Sequence, residues 1–217
     1  MDLWTRLEQA RDRCNVLEHP FYQRWSRGEL EREELAAYAG QYRYAVVALA
    51  EASAGATHVA SPKLRPQLEA HAAEEAGHVA LWDDFTDAIG GDRAATANAE
   101  TAACARAWAG DGERDLLSSL VALYAIESGQ PAIADTKRRG LREFYGCENG
   151  PATAYFDLHA QLDVEHAAEE RALIEPRLQD ADVDALVEAA EAVLRANWEL
   201  LDGVDRVTDA ERTPSAG

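Results

Sequence analysis

Two strings far apart in the chain, HAAEEAGH at 71–78 and HAQLDVEH at 159–166, follow one formula: histidine, three residues, a carboxylate, two residues, histidine. At about 100° per residue, positions i, i+4 and i+7 of an α-helix fall within roughly 60° of one another. As helices, the strings aim His71, Glu75 and His78 at one spot, and His159, Asp163 and His166 at another. The rest of the chain agrees with that demand. Ala, Leu, Glu and Arg dominate, all good helix formers, and no segment sustains the period-two alternation of a strand. The predicted fold class is all-α.

Caps and breakers divide the chain into a bundle of about seven helices. The first spans about Leu3 to Cys14, with a short helical turn near His19 to Arg27. A longer helix covers Glu31 to Ala54, its Glu-rich first turn suited to the helix dipole. Ser61-Pro62 opens the helix carrying the first string, and Gly90-Gly91-Asp92 closes it. The next starts near Asn98, breaks around Gly110-Asp111-Gly112, and resumes from Glu113 toward Tyr145 with a kink at Pro131. Gly150-Pro151 opens the helix of the second string, which reaches Leu178, and Asp182 opens a last helix to Asp205. No linker interrupts the pattern, so residues 1–210 read as a single all-α domain and residues 211–217 as a disordered tail.

Forty acidic against 21 basic side chains give a formal charge of −19. That balance disfavours nucleic acid and anionic membranes as partners, since both need clustered Lys and Arg. No apolar run approaches the roughly 18 residues of a membrane span, and the first residues lack the apolar segment of a signal peptide. Three scattered cysteines, Cys14, Cys104 and Cys147, form no disulfide framework or zinc knuckle. The expected setting is the cytoplasm.

Histidine with carboxylate at three or four spacing is what iron and manganese sites in helical bundles use. Solvated, salt-bridged faces are the plain alternative, and two strings in one register make it the weaker reading. A further acid, Glu127, stands in LLSSLVALYAIE, where burial is costly unless the carboxylate is paired or coordinated. Competing chemistry is absent: there is no phosphate-binding glycine loop and no nucleophile-elbow serine. Only Lys63 and Lys137 among the 21 basic residues are lysine, so a lysine in this chain is a departure from habit.

These residues resemble the heme-oxygenase-like diiron oxidases, and most closely the CADD-like 4-aminobenzoate synthase branch. HPFYQRWSRGELEREELAAYAGQYRYAV, ALYAIESGQPAIADTKRRGLREFYG and YFDLHAQLDVEHA carry the resemblance, over about two-thirds of the chain. It implies a heme-oxygenase-like (TenA/PqqC-like) bundle with two iron ions, or an Fe/Mn pair, held by Glu127, His159, Asp163, His166, His78 and an acid before His78. The branch places that acid seven residues before the histidine, where this chain has His71. Glu75, on the same face as His78, is the preferred substitute, with Glu74 behind it.

The resemblance further implies dioxygen as co-substrate, an external reductant, and 4-aminobenzoate made for folate synthesis from the enzyme's own tyrosine. Tyr22 and Tyr38 match the branch's tyrosines, and Lys137, ten residues after Glu127, matches its amine donor. Ile126 departs from it, since the branch has a tyrosine directly before the ligand Glu. Two alternatives stay open: a diiron oxidase acting on a free small amine or carboxylic acid, and a metal-free small-molecule-binding relative. The expected assembly is a homodimer.

Overall fold

The computed structural model describes residues 2–110, 112 and 114–212, and among them every regular element is helical. Helix α1 (Leu3–Arg13) leads through a 3₁₀ turn into α2 (Pro20–Ser26), where the His19 ring caps the helix by accepting from the Phe21 amide. Helix α3 (Arg32–His58) opens with a capping box between Glu31 and Glu34 and runs four residues beyond the expected end at Ala54. Helix α4 (Arg65–Ala88) starts one turn later than Ser61-Pro62 suggested, because residues 62–64 form a turn and Pro66 occupies the first turn of the helix.

After α5 (Ala99–Ala109), the kink expected at Pro131 is a full break. Helix α6 (Leu116–Glu127) ends at the acid singled out above, and α7 (Gln130–Phe144) begins anew beyond Ser128 and Gly129. Proline has no amide hydrogen to donate to residue 127, so the α6 ladder stops there. Helix α8 (Ala154–Ile174) carries the second string, and α9 (Val183–Arg212) outruns its expected end at Asp205. Of the expected tail, 211 and 212 continue α9 and 213–217 lie outside the described residues.

Helix α3 packs on α4 and α5, α8 on α6 and α7, and α9 closes the far side against α1, α5 and α6. The core between them is rich in aromatic rings, with Phe21, Trp25, Tyr38, Trp82 and Phe85 fully buried. One close approach fixes α7 on this core. A Cβ at Gly140 would stand 2.5 Å from Trp25 Cδ1 and 2.7 Å from its Nε1. The Trp25 ring is itself tethered, since Nε1 donates to the Lys137 carbonyl at 3.1 Å. Gly140→Ala should therefore cost about 1–3 kcal/mol as an overpacked contact. Urea unfolding measures it, and an unchanged midpoint would show that the helices separate freely.

Candidate metal centre

Helices α4 and α8 run antiparallel across the centre, with the C-terminal end of α6 beside them. Each histidine string is consequently divided. His71, at the start of one, meets His166, at the end of the other, with ring centroids 4.3 Å apart. His78 and His159 form the opposite pair at 4.6 Å. The donor atoms gather as two triplets, His71–Glu127–His166 and Glu75–His78–His159, each within 4.8 Å of one another. The expectation that each string aims at one spot of its own is corrected: both strings serve both triplets.

In the first triplet, Glu127 Oε1 lies 3.3 Å from His71 Nε2 and Oε2 lies 3.2 Å from His166 Nδ1. In the second, Glu75 Oε1 is 3.0 Å from His78 Nδ1. The same Glu75 oxygen is 3.9 Å from His71 Nε2 and 3.8 Å from His166 Nδ1. Glu75 thus faces both triplets, the position a bridging carboxylate needs. Glu75, Glu127 and His159 are at most 2% exposed.

Two carboxylates stand outside the triplets and orient them. Asp163 Oδ2 is 2.9 Å from His159 Nδ1, which leaves His159 Nε2 as the free donor atom. Glu74, half exposed, pairs with His166 Nε2 at 3.1 Å and leaves Nδ1 to face inward. A carboxylate holding the far nitrogen of an imidazole fixes its tautomer and angle, as outer partners of metal ligands commonly do.

The donor set fits a metal. His71 Nε2, His78 Nδ1, His159 Nε2, His166 Nδ1, Glu75 Oε1 and both Glu127 oxygens are buried yet make no aligned hydrogen bond. Buried polar atoms are rarely left so, and orphans that converge on two points are what coordination satisfies. Electrostatics agree. Burial opposes protonation of His71 and His166, but the Glu127 carboxylate outweighs it, raising the first and bringing the second up to about 9. Burial takes His159 down to about 4 and, with Glu127 and Glu75 nearby, Asp163 up to about 8. Without an ion, Glu127 is balanced by drawing protons onto the imidazoles beside it, a role a bound cation would take over.

Beside the second triplet lies an aromatic chamber around one amine. Lys137, 3% exposed, points its Nζ at the rings of Tyr42, Tyr22, Tyr38, Phe156 and Trp82, with centroids 4.6, 5.0, 5.3, 5.5 and 5.8 Å away. No carboxylate pairs with it among the described residues, and burial holds its pKa well below the ordinary lysine value. The Tyr22 and Tyr38 hydroxyls share a 2.9 Å hydrogen bond. Burial raises both phenols well above their usual range, so they stay protonated. Tyr155 connects the chamber to the candidate metal centre. Its ring lies over His159 at 4.2 Å and meets Trp82 edge-on at 4.8 Å.

Residues 37–198 match the family model described as iron-containing redox enzyme. The chain belongs to that family. This iron-containing redox enzyme is 36% identical to the 4-aminobenzoate synthase of Chlamydia trachomatis over 216 residues, covering 93% of this chain and 91% of that one. It is 33% identical to the 4-aminobenzoate synthase of Nitrosomonas europaea, over 88% and 85% of the two chains. In fold it is similar to a heme-oxygenase-like domain from Shewanella denitrificans, with a TM-score of 0.81 at 18% identity over 100% and 97% of the chains. A CADD-like protein from Nostoc punctiforme gives 0.72 at 17% identity over 94% and 98%. No helix among the described residues is long and apolar enough to cross a membrane.

Of the residues expected from sequence, Glu75, His78, Glu127, His159 and His166 come together in the enzyme's triplets, and His71 joins them. Asp163 and Glu74 stand one bond away. Sequence reasoning passed over Tyr155, although it lies four residues before His159 and so shares its face. It also passed over Glu170, one further turn along the same stripe, which is 3% exposed with neither oxygen hydrogen-bonded.

Proposed function

We propose that this enzyme is a 4-aminobenzoate synthase that draws the product from its own chain. Iron held by Glu75, His78, Glu127, His159 and His166, with Asp163 and Glu74 as orienting carboxylates, would supply the oxidising power that dioxygen brings. Two ions, one per triplet, and an external reductant belong to this reading. The observation that carries it is the Lys137 amine: buried, without a carboxylate, and enclosed by tyrosine rings. An uncharged lysine amine keeps a lone pair for bonding to carbon, which a permanently protonated arginine cannot offer.

The product's chemistry suits the chamber. 4-Aminobenzoate retains a tyrosine ring and one carbon, with nitrogen in place of the phenol oxygen. Tyr22 and Tyr38 present two hydrogen-bonded phenols within reach of that amine. The surrounding Trp82, Phe156 and Phe21 rings exclude water, which would otherwise compete for an oxidised ring.

The test uses the purified protein with iron, oxygen and reductant but no organic substrate. The expected yield is at most one 4-aminobenzoate per chain, with a matching loss in the intact mass. Either Tyr22→Phe or Tyr38→Phe should lower the yield to background while leaving iron content unchanged. Full yield from both variants would end the self-derived reading. Many turnovers on an added amine or carboxylic acid would instead identify an oxidase of free small molecules.

A further inference from the structure

A carboxylate outside both triplets has no hydrogen-bond partner among the described residues. Glu170 follows His166 by one helical turn on α8 and is 3% exposed. Neither of its oxygens makes a hydrogen bond, and no basic side chain or histidine pairs with it among the described residues. It lines one small pocket together with His71 and His166, the two imidazoles of the first triplet. Gln67 and Glu169 share the rim of that pocket but pair with each other at 3.1 Å, leaving Glu170 alone.

A buried carboxyl with both oxygens unsatisfied is costly, and leucine at the same place would pack without that cost. Such a group persists where a cation compensates it. The charge count points the same way. Two divalent ions bring four positive charges into a buried centre, and Glu75, Glu127 and Asp163 offer three negative ones. Glu170 supplies the fourth, in the pocket it shares with His71 and His166.

We propose that Glu170 is a ligand of the metal at the His71–Glu127–His166 triplet, a fourth protein donor there. The assignment rests on the two-metal reading above. Hard oxygen and imidazole nitrogen together suit iron or manganese in the divalent state rather than a softer ion.

Anaerobic Fe(II) titration of the metal-free protein, read by bound equivalents, tests it. Wild type should take two equivalents. Glu170→Gln and Glu170→Leu should keep one at wild-type affinity and bind the other about tenfold or more weaker. Glu170→Asp, which retains the charge, should recover part of the loss. In the metal-free state Glu170→Leu should melt above wild type, because the unsatisfied carboxyl is gone; this also verifies that the variant folds. Two equivalents at wild-type affinity in both the Gln and Leu variants would overturn the assignment. Fewer than two in wild type would instead remove the two-metal reading, and this assignment with it.

Discussion

Replacing Lys137 by methionine should abolish 4-aminobenzoate formation while making the metal-free protein more stable at neutral pH. Both effects come from one fact: the amine is buried with no carboxylate paired to it among the described residues, and burial lowers its pKa well below 10.5. In the unfolded chain the same amine keeps its ordinary value and binds a proton up to about pH 10.5. Between the lowered folded value and 10.5, the unfolded state therefore holds more protons than the native state, and stability rises with pH. Below that window Lys137 carries its full penalty; above it the penalty is gone. The gain in melting temperature of Lys137→Met should thus be largest at low to neutral pH and shrink toward pH 10.5. Lys137→Arg should also give no product, since arginine stays protonated. Iron content should match wild type in both variants, because Lys137 contacts rings and not the triplets. Product at wild-type yield from either variant would exclude Lys137 as the nitrogen source.

Removing Glu127 should have the second large effect. Its two oxygens face His71 and His166, and the first triplet has no other carboxylate within 3.5 Å of either ring's inward nitrogen. Outer partners of metal ligands are commonly worth about 10–100-fold in affinity, so losing this inner one should weaken that iron by more than ~100-fold. Glu127→Ala should bind one equivalent and form no product, and Glu127→Gln, which keeps the shape without the charge, should fall close to it. The metal-free protein gives an independent signature. Burial opposes but Glu127 raises the pKa of His166 to about 9 and that of His71 above its ordinary 6.5. These pairings stabilise the fold fully below about pH 6.5 and are lost as pH rises through the folded values. Glu127→Ala should therefore be destabilised relative to wild type near pH 6, with the gap closing toward pH 9. An unchanged pH profile with unchanged iron content would show that Glu127 is packing rather than a ligand.

Much of the centre was legible because helical periodicity is a local property. The repeated spacing in HAAEEAGH and HAQLDVEH requires only that each string be helical, and local propensity decides that. Glu127 stood out by contrast with the apolar run around it, and Lys137 by the chain's preference for arginine. Tyr155 and Glu170 lay within the same reasoning, one turn before and one turn after the second string, but each looks ordinary until its surroundings are known. Tyr155 matters because Trp82, from another helix, meets it edge-on while its ring lies over His159. Glu170 matters because neither of its oxygens finds a hydrogen-bond partner among the described residues.

What the sequence determined by itself was that four histidines and their carboxylates lie on two helical faces, in a bundle of helices with a buried acid nearby. Which histidine joins which was decided by tertiary structure alone. Because α4 and α8 pack antiparallel, the first histidine of one string meets the last of the other, and each donor triplet draws on both helices. The direction of a helix relative to its partner depends on loops and on packing across the whole core, and residue spacing along one strand of chain carries no record of it. The same packing left Glu75 facing both triplets, whereas Asp163 holds His159 one turn away on its own helix, a division of roles between two acids that the formula itself treats alike.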